Sequence, residues 1–439
     1  MRMIKRVGVI IFALALCAAC SAWADSAAPA LTIDQAVQMA VEKNVTLRTA
    51  RDQVEIARSH IGQAKAGMYP QLGAEFQYQD YTVVPLFVLP PAGSFPGLTV
   101  PVGLNNNTVW SFNARQAIYT GGQITGSISK AEALFDVAAG QLGAAESQVA
   151  LQTRQVYYSV LLNEALVRSS EQNLKAAQDQ LTDASSRYDA GTAAKFDVLR
   201  AQTQVSQAQQ ALVQNKNQID ISRQNLNRII GLPIDSVRTL SAPPVAAVPS
   251  AALPALIDLA EHQRAEMLSA KAQVKAAEYG IKVAKSSWMP QVALDATYLK
   301  FGKEALGAIP GWTIVASVNQ EIFDGGRIRG QVREAKALKD EAKINLEDTT
   351  RGVEQDVRQA FLNLQTARTT IDTATALLAQ ATEAYDVATV RYQSGVGTAT
   401  ELADALATLT TARANSDTTR YNYDIAYAAL QRALGLITY

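Results

Sequence analysis

An internal repeat constrains the fold of this chain more than any other feature. Residues 116–232 match residues 320–436 at a constant offset of 204 positions, with no insertion or deletion. One extra helical residue would turn every later side chain by about 100°. The unbroken register therefore predicts two copies of one unit, with equal helix lengths, that line the same wall. Identical pairs include Gln116 and Gln320, Ile118 and Ile322, Gly121 and Gly325, Gly122 and Gly326, Val149 and Val353, and Gly231 and Gly435.

The repeat divides the chain into segments. Residues 25–232 form the first repeat, residues 233–254 a linker with five prolines, and residues 255–439 the second repeat. The prolines predict a non-helical crossover. Each half is predicted to contain a helix, two strands, a long helix and a second helix. A capping box of Thr32 and Gln35 is expected to start the first helix, and Pro70 and Pro290 are expected to follow the first helix of each half.

The first 24 residues have the three parts of a secretory signal peptide. We expect cleavage before Asp25, with lipid attachment at Cys20 as the competing interpretation. Cys17 and Cys20 are the only cysteines, so a chain cleaved before Asp25 would contain neither a disulfide nor a reactive thiol. The three parts are the basic residues Arg2, Lys5 and Arg6, the apolar run Val7 to Cys20, and the small-x-small site Ala22-Trp23-Ala24.

Composition and spacing argue against several classes of function. The chain has 40 basic and 40 acidic residues, and loss of the three basic residues of the leader leaves 37 against 40, a net charge near −3. Such a balance does not favour nucleic-acid binding. His60 and His262 have no repeat partner, and the acidic residues show no metal-ligand spacing. We therefore expect no enzymatic activity, no cofactor and no metal site.

Four short segments alternate between apolar and polar residues, which indicates β-strands. They span residues 72–78, 110–118, 292–298 and 312–319. Their length and pattern are typical of outer-membrane barrel strands, although a sheet with one wet face is the ordinary interpretation. No run of about 18 apolar residues follows the leader, so a membrane-spanning form would be a closed barrel.

Four strands cannot close a barrel alone, because the smallest membrane barrels have eight. The free strand edges are therefore expected to pair with two, three or four copies of the chain in total. The apolar, proline-broken segment 80–108 is predicted to be a non-helical external loop over the mouth, or a surface loop without a role. Its counterpart, residues 300–311, is shorter.

Two long helices are predicted from apolar residues spaced by three and four. The first runs from Gln123 to Arg187 and would measure roughly 95 Å at 1.5 Å per residue. Its alanine-rich stripe and polar remaining faces are typical of a coiled coil. The chain then turns back, and Gly191 and Gly395 suit the left-handed conformation at a helix end.

The strand pairs, the two Gly-Gly turns, the two Arg-Tyr-x-x-Gly turns and the C-terminal Leu-Gly-Leu resemble the TolC-like outer-membrane efflux family across nearly all of the mature chain. The resemblance implies a mixed α and β membrane protein: a homotrimer with a 12-stranded β-barrel, four strands per chain, in outer-membrane lipid. A long α-helical coiled-coil barrel would continue through the periplasm. It also implies a passive channel of a tripartite efflux or type I secretion system, working with a periplasmic adaptor and an inner-membrane pump of the RND or ABC type.

The resemblance assigns roles to two groups of residues. The turns are expected to dock the adaptor, although their tyrosines could instead only pack against a neighbouring helix. The acidic residues after the second turn are expected to constrict the pore, where three copies would form a cation-favouring ring of six carboxylates. The turn residues are Arg187, Tyr188, Gly191, Arg391, Tyr392 and Gly395, and the constriction comprises Glu401 and Asp404 with their first-half counterparts Asp197 and Arg200.

Two details qualify these assignments. Glu401 and Asp404 also suit an ordinary solvated helix start, where acidic residues favour the N-terminal dipole. The best-known family member has an arginine of its gating network two residues after the turn glycine, whereas this chain has Gly397. The latch is therefore expected to be built differently.

Two other functions fit the sequence less well. A periplasmic coiled-coil scaffold or adhesin would not explain strands that are duplicated in register. A periplasmic adaptor would need a single hairpin with a lipoyl-like β-domain between its helices, which the duplicated order lacks. The sequence therefore favours the export channel and does not identify its cargo.

Overall fold

A computed structural model describes residues 30–84, 86–101, 106–244, 252–302 and 310–436. The predicted signal peptide, its cleavage site and Cys20 lie outside the described residues. The elements, in chain order, are α1 Ile33–Lys43, α2 Val45–Ala66, β1 Gln71–Asp80, β2 Leu86–Leu89, β3 Leu98–Pro101, β4 Asn106–Tyr119, α3 Gln123–Asp189, α4 Lys195–Ile230, α5 Leu253–Gln263, α6 Ala265–Ser286, β5 Gln291–Phe301, β6 Gly311–Asn319, α7 Arg327–Gln393 and α8 Ala399–Ala433.

The first helix of each half is two helices, so the prediction of a single helix is wrong. The break in the first half falls at Asn44, whose backbone is extended (φ −63°, ψ 131°). The Asn44 Oδ1 accepts a hydrogen bond from the Thr46 N–H at 2.8 Å, and such local bonds compete with the helix. In the second half Arg264 takes the same extended conformation. The predicted capping box is confirmed, because Thr32 and Gln35 each accept from the other's backbone N–H.

The two long helices are equal in length. α3 and α7 each contain 67 residues, and their bounds differ by the offset of the sequence repeat. α4 and α8 contain 36 and 35 residues. Gly191 and Gly395 have φ values of +72° and +78°, which confirms the predicted left-handed turns. None of the helices in the described part of the chain is both long and apolar enough to cross a membrane.

The described residues form two compact units whose boundaries do not coincide with those of the sequence repeat. One unit contains residues 30–47, 146–257 and 356–436, and the other contains 48–145 and 258–355. Each unit therefore takes segments from both halves of the sequence. In the first unit the Tyr157 hydroxyl lies 2.6 Å from the Leu31 carbonyl oxygen and 2.7 Å from that of Ser241. This fully buried tyrosine joins the start of the described chain to the crossover after α4.

The crossover itself is shorter than predicted. Leu253 and Pro254, assigned to the linker, begin α5. Proline is compatible with a first helical turn because its missing N–H would have no partner there.

The second unit contains an antiparallel sheet with the strand order β1-β4-β5-β6. All four predicted strand segments lie in it. The alternation places an apolar row on one face, in which Phe76 contacts Trp110 at 4.7 Å and Tyr298 contacts Trp312 at 5.1 Å between ring centroids. The other face is mostly polar, although it also includes Ala293, Leu299 and Val315. In this sheet β1 and β6 each have one partner strand, so each keeps a free edge.

The segment between β1 and β4 is not a plain loop. β2 and β3 form a two-stranded hairpin, so the prediction of a loop is corrected. The described residues of this segment contain no helix, as predicted. Pro90, Pro91 and Pro96 lie between the two strands, where no ladder hydrogen bond needs their missing N–H.

Candidate functional site at the two hairpin turns

The α3–α4 and α7–α8 turns have the same backbone construction. The Arg187 carbonyl oxygen accepts from the Thr192 N–H at 2.8 Å, and the Arg391 carbonyl oxygen accepts from the Val396 N–H at 3.1 Å. These bonds with the left-handed glycine form a Schellman-type helix end. Both turns lie in the first compact unit, so the repeat brings its two Arg-Tyr-x-x-Gly sequences to one site.

Arg187 links the two turns. Its guanidinium lies 4.7 Å from the centroid of the Tyr392 ring, and its Nη2 donates to the Gln393 carbonyl oxygen at 3.1 Å. Asp183 on the same helix holds the other side of the guanidinium at 3.1 Å. Burial raises the pKa of Tyr392, and the positive charge of Arg187 opposes that rise. Tyr392 is therefore a packing residue, whereas Tyr188 is 45% exposed.

Arg200 forms the second link. Its Nη1 donates to the Thr400 hydroxyl at 2.5 Å, and its Nη2 lies 3.9 Å from the Asp404 carboxylate. Asp404 occupies the position in α8 that Arg200 occupies in α4, because the two differ by the repeat offset. Opposite charges at equivalent positions thus meet across the two hairpins.

Glu401 has two partners within its own hairpin. The Thr398 side chain caps α8 by accepting from the Glu401 N–H at 3.1 Å, and the Arg391 Nε lies 3.7 Å from the Glu401 carboxylate. In α4 the capping position is Ala194, which makes no side-chain cap bond. The second turn is therefore capped more firmly than the first.

Gly397 is fixed by the geometry of its turn. A Cβ built there would lie 2.9 Å from the Arg391 Cβ and 3.0 Å from the Tyr392 backbone nitrogen. Because these neighbours include backbone, a larger residue would force the turn to shift. An arginine does not fit at this position without that shift, and Arg200 and Arg391 supply the positive charges near the carboxylates.

The structure brings all the predicted site residues to this pair of turns and adds contacts that the sequence analysis missed. Asp183, Thr400 and the Gln393 carbonyl oxygen were not foreseen. Within the chain Glu401 and Asp404 each face an arginine, which the sequence analysis did not foresee either. The missed signal was the opposite charge of Arg200 and Asp404 at equivalent repeat positions.

The contacts at the site are individually weak. Exposed ion pairs contribute about 0.2–1 kcal/mol each, and a cation–π contact on a buried ring such as that of Tyr392 contributes up to about 2 kcal/mol. Within the described residues no group of three or more His, Cys, Asp or Glu side chains is arranged to hold a metal ion. The contacts are suited to holding two hairpins together reversibly.

Comparisons with known proteins agree with this architecture. Residues 36–232 and 256–436 match the model of the family described as outer membrane efflux protein. The outer membrane protein TolC of Escherichia coli is 24% identical over 94% of this chain and 84% of its own length. The outer membrane efflux protein BepC of Brucella suis is 24% identical over 77% of this chain and 71% of its own length.

Solved structures show the same fold. The outer membrane protein VceC of Vibrio cholerae superposes with a TM-score of 0.77 at 20% identity, covering 92% of this chain and 96% of that one. The outer-membrane channel OprN superposes with a TM-score of 0.76 at 19% identity, covering 92% of this chain and 89% of that one.

Proposed function

Because the chain belongs to the outer membrane efflux protein family, we propose that it is a passive outer-membrane channel of a tripartite efflux or type I secretion system. The family is one of transport proteins and not of enzymes. In this proposal three copies form a 12-stranded barrel in the outer membrane, and their helices form a tunnel through the periplasm. An inner-membrane pump and a periplasmic adaptor open the periplasmic end.

The sheet carries this proposal. Its apolar face is exposed, with Leu72 81%, Trp312 69% and Val318 72% accessible. Such a face needs lipid or protein to cover it, and the free edges of β1 and β6 need partner strands. Pairing β6 of one copy with β1 of the next satisfies the edges, and closure removes them entirely.

The two hairpin turns support a gate where the long helices end. Arg187 and Arg200 provide the contacts that hold the α3–α4 hairpin to the α7–α8 hairpin there. Each contact is worth about 2 kcal/mol or less, so a docked partner can release it with modest binding energy. In the closed state Glu401, Asp404 and Asp197 would constrict the pore. In each copy Arg200 would offset the negative charge of Asp404.

The turns also offer a docking surface. Tyr188, Phe196, Leu199 and Val396 expose between 45% and 69% of their surface around the two turns. Exposed apolar side chains on helical hairpins suit a helix-in-groove contact with an adaptor's own hairpin. In this proposal the pump selects the cargo, and the channel only has to be wide enough to let the cargo pass.

A photo-crosslinker at Gln393, beside the second turn, tests the docking. We expect it to capture an adaptor in cells, whereas the same crosslinker at the exposed Gln359 in the middle of α7 should not. An adaptor that works with a proton-driven pump would indicate small-molecule or metal efflux, and one that works with an ATP-driven exporter would indicate protein or peptide secretion. Failure to capture an adaptor, with the protein absent from the outer membrane, would refute the channel and favour the scaffold.

A further inference from the structure

A lysine-rich cavity in the second compact unit takes no part in the gate or the sheet. It has a volume of about 500 Å³ and lies between α6 and α7. Two carboxylates, Glu278 and Asp340, also line it, and Lys339 pairs with Glu278 at 3.0 Å. Its charged lining therefore has a net charge of +3. The five lysines are Lys282, Lys285, Lys336, Lys339 and Lys343.

The first half of the chain provides an internal comparison. α2 and α6 each contain 22 residues and each ends just before a strand, so Lys65 corresponds to Lys285. In the first half Lys65 pairs with Glu132 at 3.8 Å. At the repeat offset Glu132 becomes Lys336. The first half thus has an ion pair at the positions where the second half has two lysines, and both of these lysines line the cavity.

Most of the remaining differences have the same direction, although Arg58 of the first half corresponds to Glu278 of the second. Gly62 and Ala139 of the first half correspond to Lys282 and Lys343 of the second. Neighbouring like charges on helices are destabilising, so the second half keeps a cluster that the first half avoids. The field of the lysines is evident at Glu278, where the hydrogen bond from Lys339 and the charges of Lys339, Lys343 and Lys282 lower the carboxyl pKa.

The cavity adjoins the end of the sheet. Lys282 and Lys285 also line a neighbouring cavity of about 350 Å³ together with Gly121, Gly122 and Met289. The two glycines follow β4, and Met289 precedes β5. Exposed apolar and aromatic side chains cluster along the chain at these strand ends, as in the aromatic girdles of membrane interfaces. They are Met68, Tyr69, Tyr119, Trp288, Met289, Ile322 and Phe323.

We propose that the lysine cavity binds the phosphate group of an anionic phospholipid whose acyl chains contact the exposed apolar residues at the adjoining strand ends. This inference rests on the proposed membrane location of the sheet. Lysine ammonium groups attract phosphate as point charges, and the apolar surface beside them distinguishes a lipid from a free anion. The site would anchor each copy of the chain at the level of the lipid head groups.

The test is native mass spectrometry of the detergent-solubilised protein titrated with phosphatidylglycerol, phosphatidylcholine or inorganic phosphate. The wild type is expected to retain phosphatidylglycerol in preference to phosphatidylcholine. Lys336→Glu should reduce the apparent affinity for phosphatidylglycerol at least about fivefold, the factor associated with one lysine at an anionic membrane surface. This variant should fold, because its new carboxylate would face Lys285 as Glu132 faces Lys65. Lys271→Glu makes the same charge change on α6 outside the cavity and should leave binding within about twofold.

Three results would overturn the inference: equal retention of both lipids, equal losses in the two variants, or displacement of phosphatidylglycerol by inorganic phosphate at matched concentration. Channel formation in phosphatidylcholine bilayers separates this from the proposed function. If the wild type and Lys336→Glu both form channels and bind phosphatidylglycerol equally well, only the lipid site is refuted. No channels from the wild type would refute the proposed function itself.

Discussion

The contact between Arg200 and Asp404 gives the sharpest quantitative test of the gate. Two unit charges at about 4 Å interact by about 1 kcal/mol in water and about 4 kcal/mol at an effective dielectric constant of 20. The Asp404 side chain is 75% exposed and the Arg200 side chain 31% exposed, so the lower figure applies, in keeping with measured exposed pairs. One kcal/mol corresponds to about a fivefold change in an equilibrium constant. Three copies opening together would change the closed-to-open equilibrium by about a hundredfold.

The assay is the conductance of purified protein in planar bilayers, for Arg200→Ala, Asp404→Ala and the double variant. Each single variant should raise the open probability, Arg200→Ala the more because it also loses the hydrogen bond to Thr400. The double variant should match Arg200→Ala, because Asp404→Ala removes only a contact that Arg200→Ala has already removed. Val213→Ala, an exposed change elsewhere on α4, is the control. Additive effects of the two single changes, or an open probability that none of them alters, would refute the role of this contact in gating.

Three further predictions concern stability, each measured by urea unfolding. Tyr157→Phe removes the hydroxyl that lies between two backbone carbonyls and should lower the free energy of unfolding by about 1–2 kcal/mol; an unchanged midpoint would contradict this. Gly397→Ala places a Cβ against Arg391 and should cost about 1–3 kcal/mol, whereas Gly330→Ala, with open space around its Cβ within α7, should raise stability by about 0.5–1 kcal/mol because alanine favours the helix. Burial raises the pKa of Asp424 to about 6, above its ordinary value, so its favourable contribution is complete below about pH 4 and is lost as the pH rises through about 6. Asp424→Asn should therefore raise stability at pH 7 by up to about 3 kcal/mol and weaken the pH dependence; a loss of stability at pH 7 would contradict it.

Much of the local structure could be predicted because it depends on short-range rules. The repeat offset predicted equal long helices, and the glycines at 191 and 395 predicted the turns, since few other residues adopt a positive φ. The break at Asn44 could not be predicted, because the apolar period continues through it while one side-chain hydrogen bond interrupts the helix. The hairpin β2–β3 was hidden by its prolines, of which Pro90, Pro91 and Pro96 lie between the strands and Pro101 at the end of β3.

The site was predicted in its location but not in its contacts. Sequence position placed Glu401 and Asp404 after the turn. The contact of Asp404 with Arg200 depends on the packing of one hairpin against the other, whereas Glu401 meets Arg391 across the turn of its own hairpin. Arg200 and Thr400 are 200 residues apart, so no local pattern reports their hydrogen bond. The repeat held the relevant information, because opposite charges at equivalent positions of two packed hairpins are brought together.

Closure of the sheet across three copies is the central claim, and disulfide crosslinking tests it most directly. Residues 25–439 contain no cysteine, so a cysteine at Glu75 on β1 can be combined with one at Thr313, Val315 or Ser317 on β6 and oxidised in isolated outer membranes. A closed trimer predicts that one of these registers gives a covalent ladder ending at three copies, and that either cysteine alone gives none. A ladder that ends at two or four copies, one that continues to longer polymers, or no crosslinking in any register would contradict the trimeric barrel.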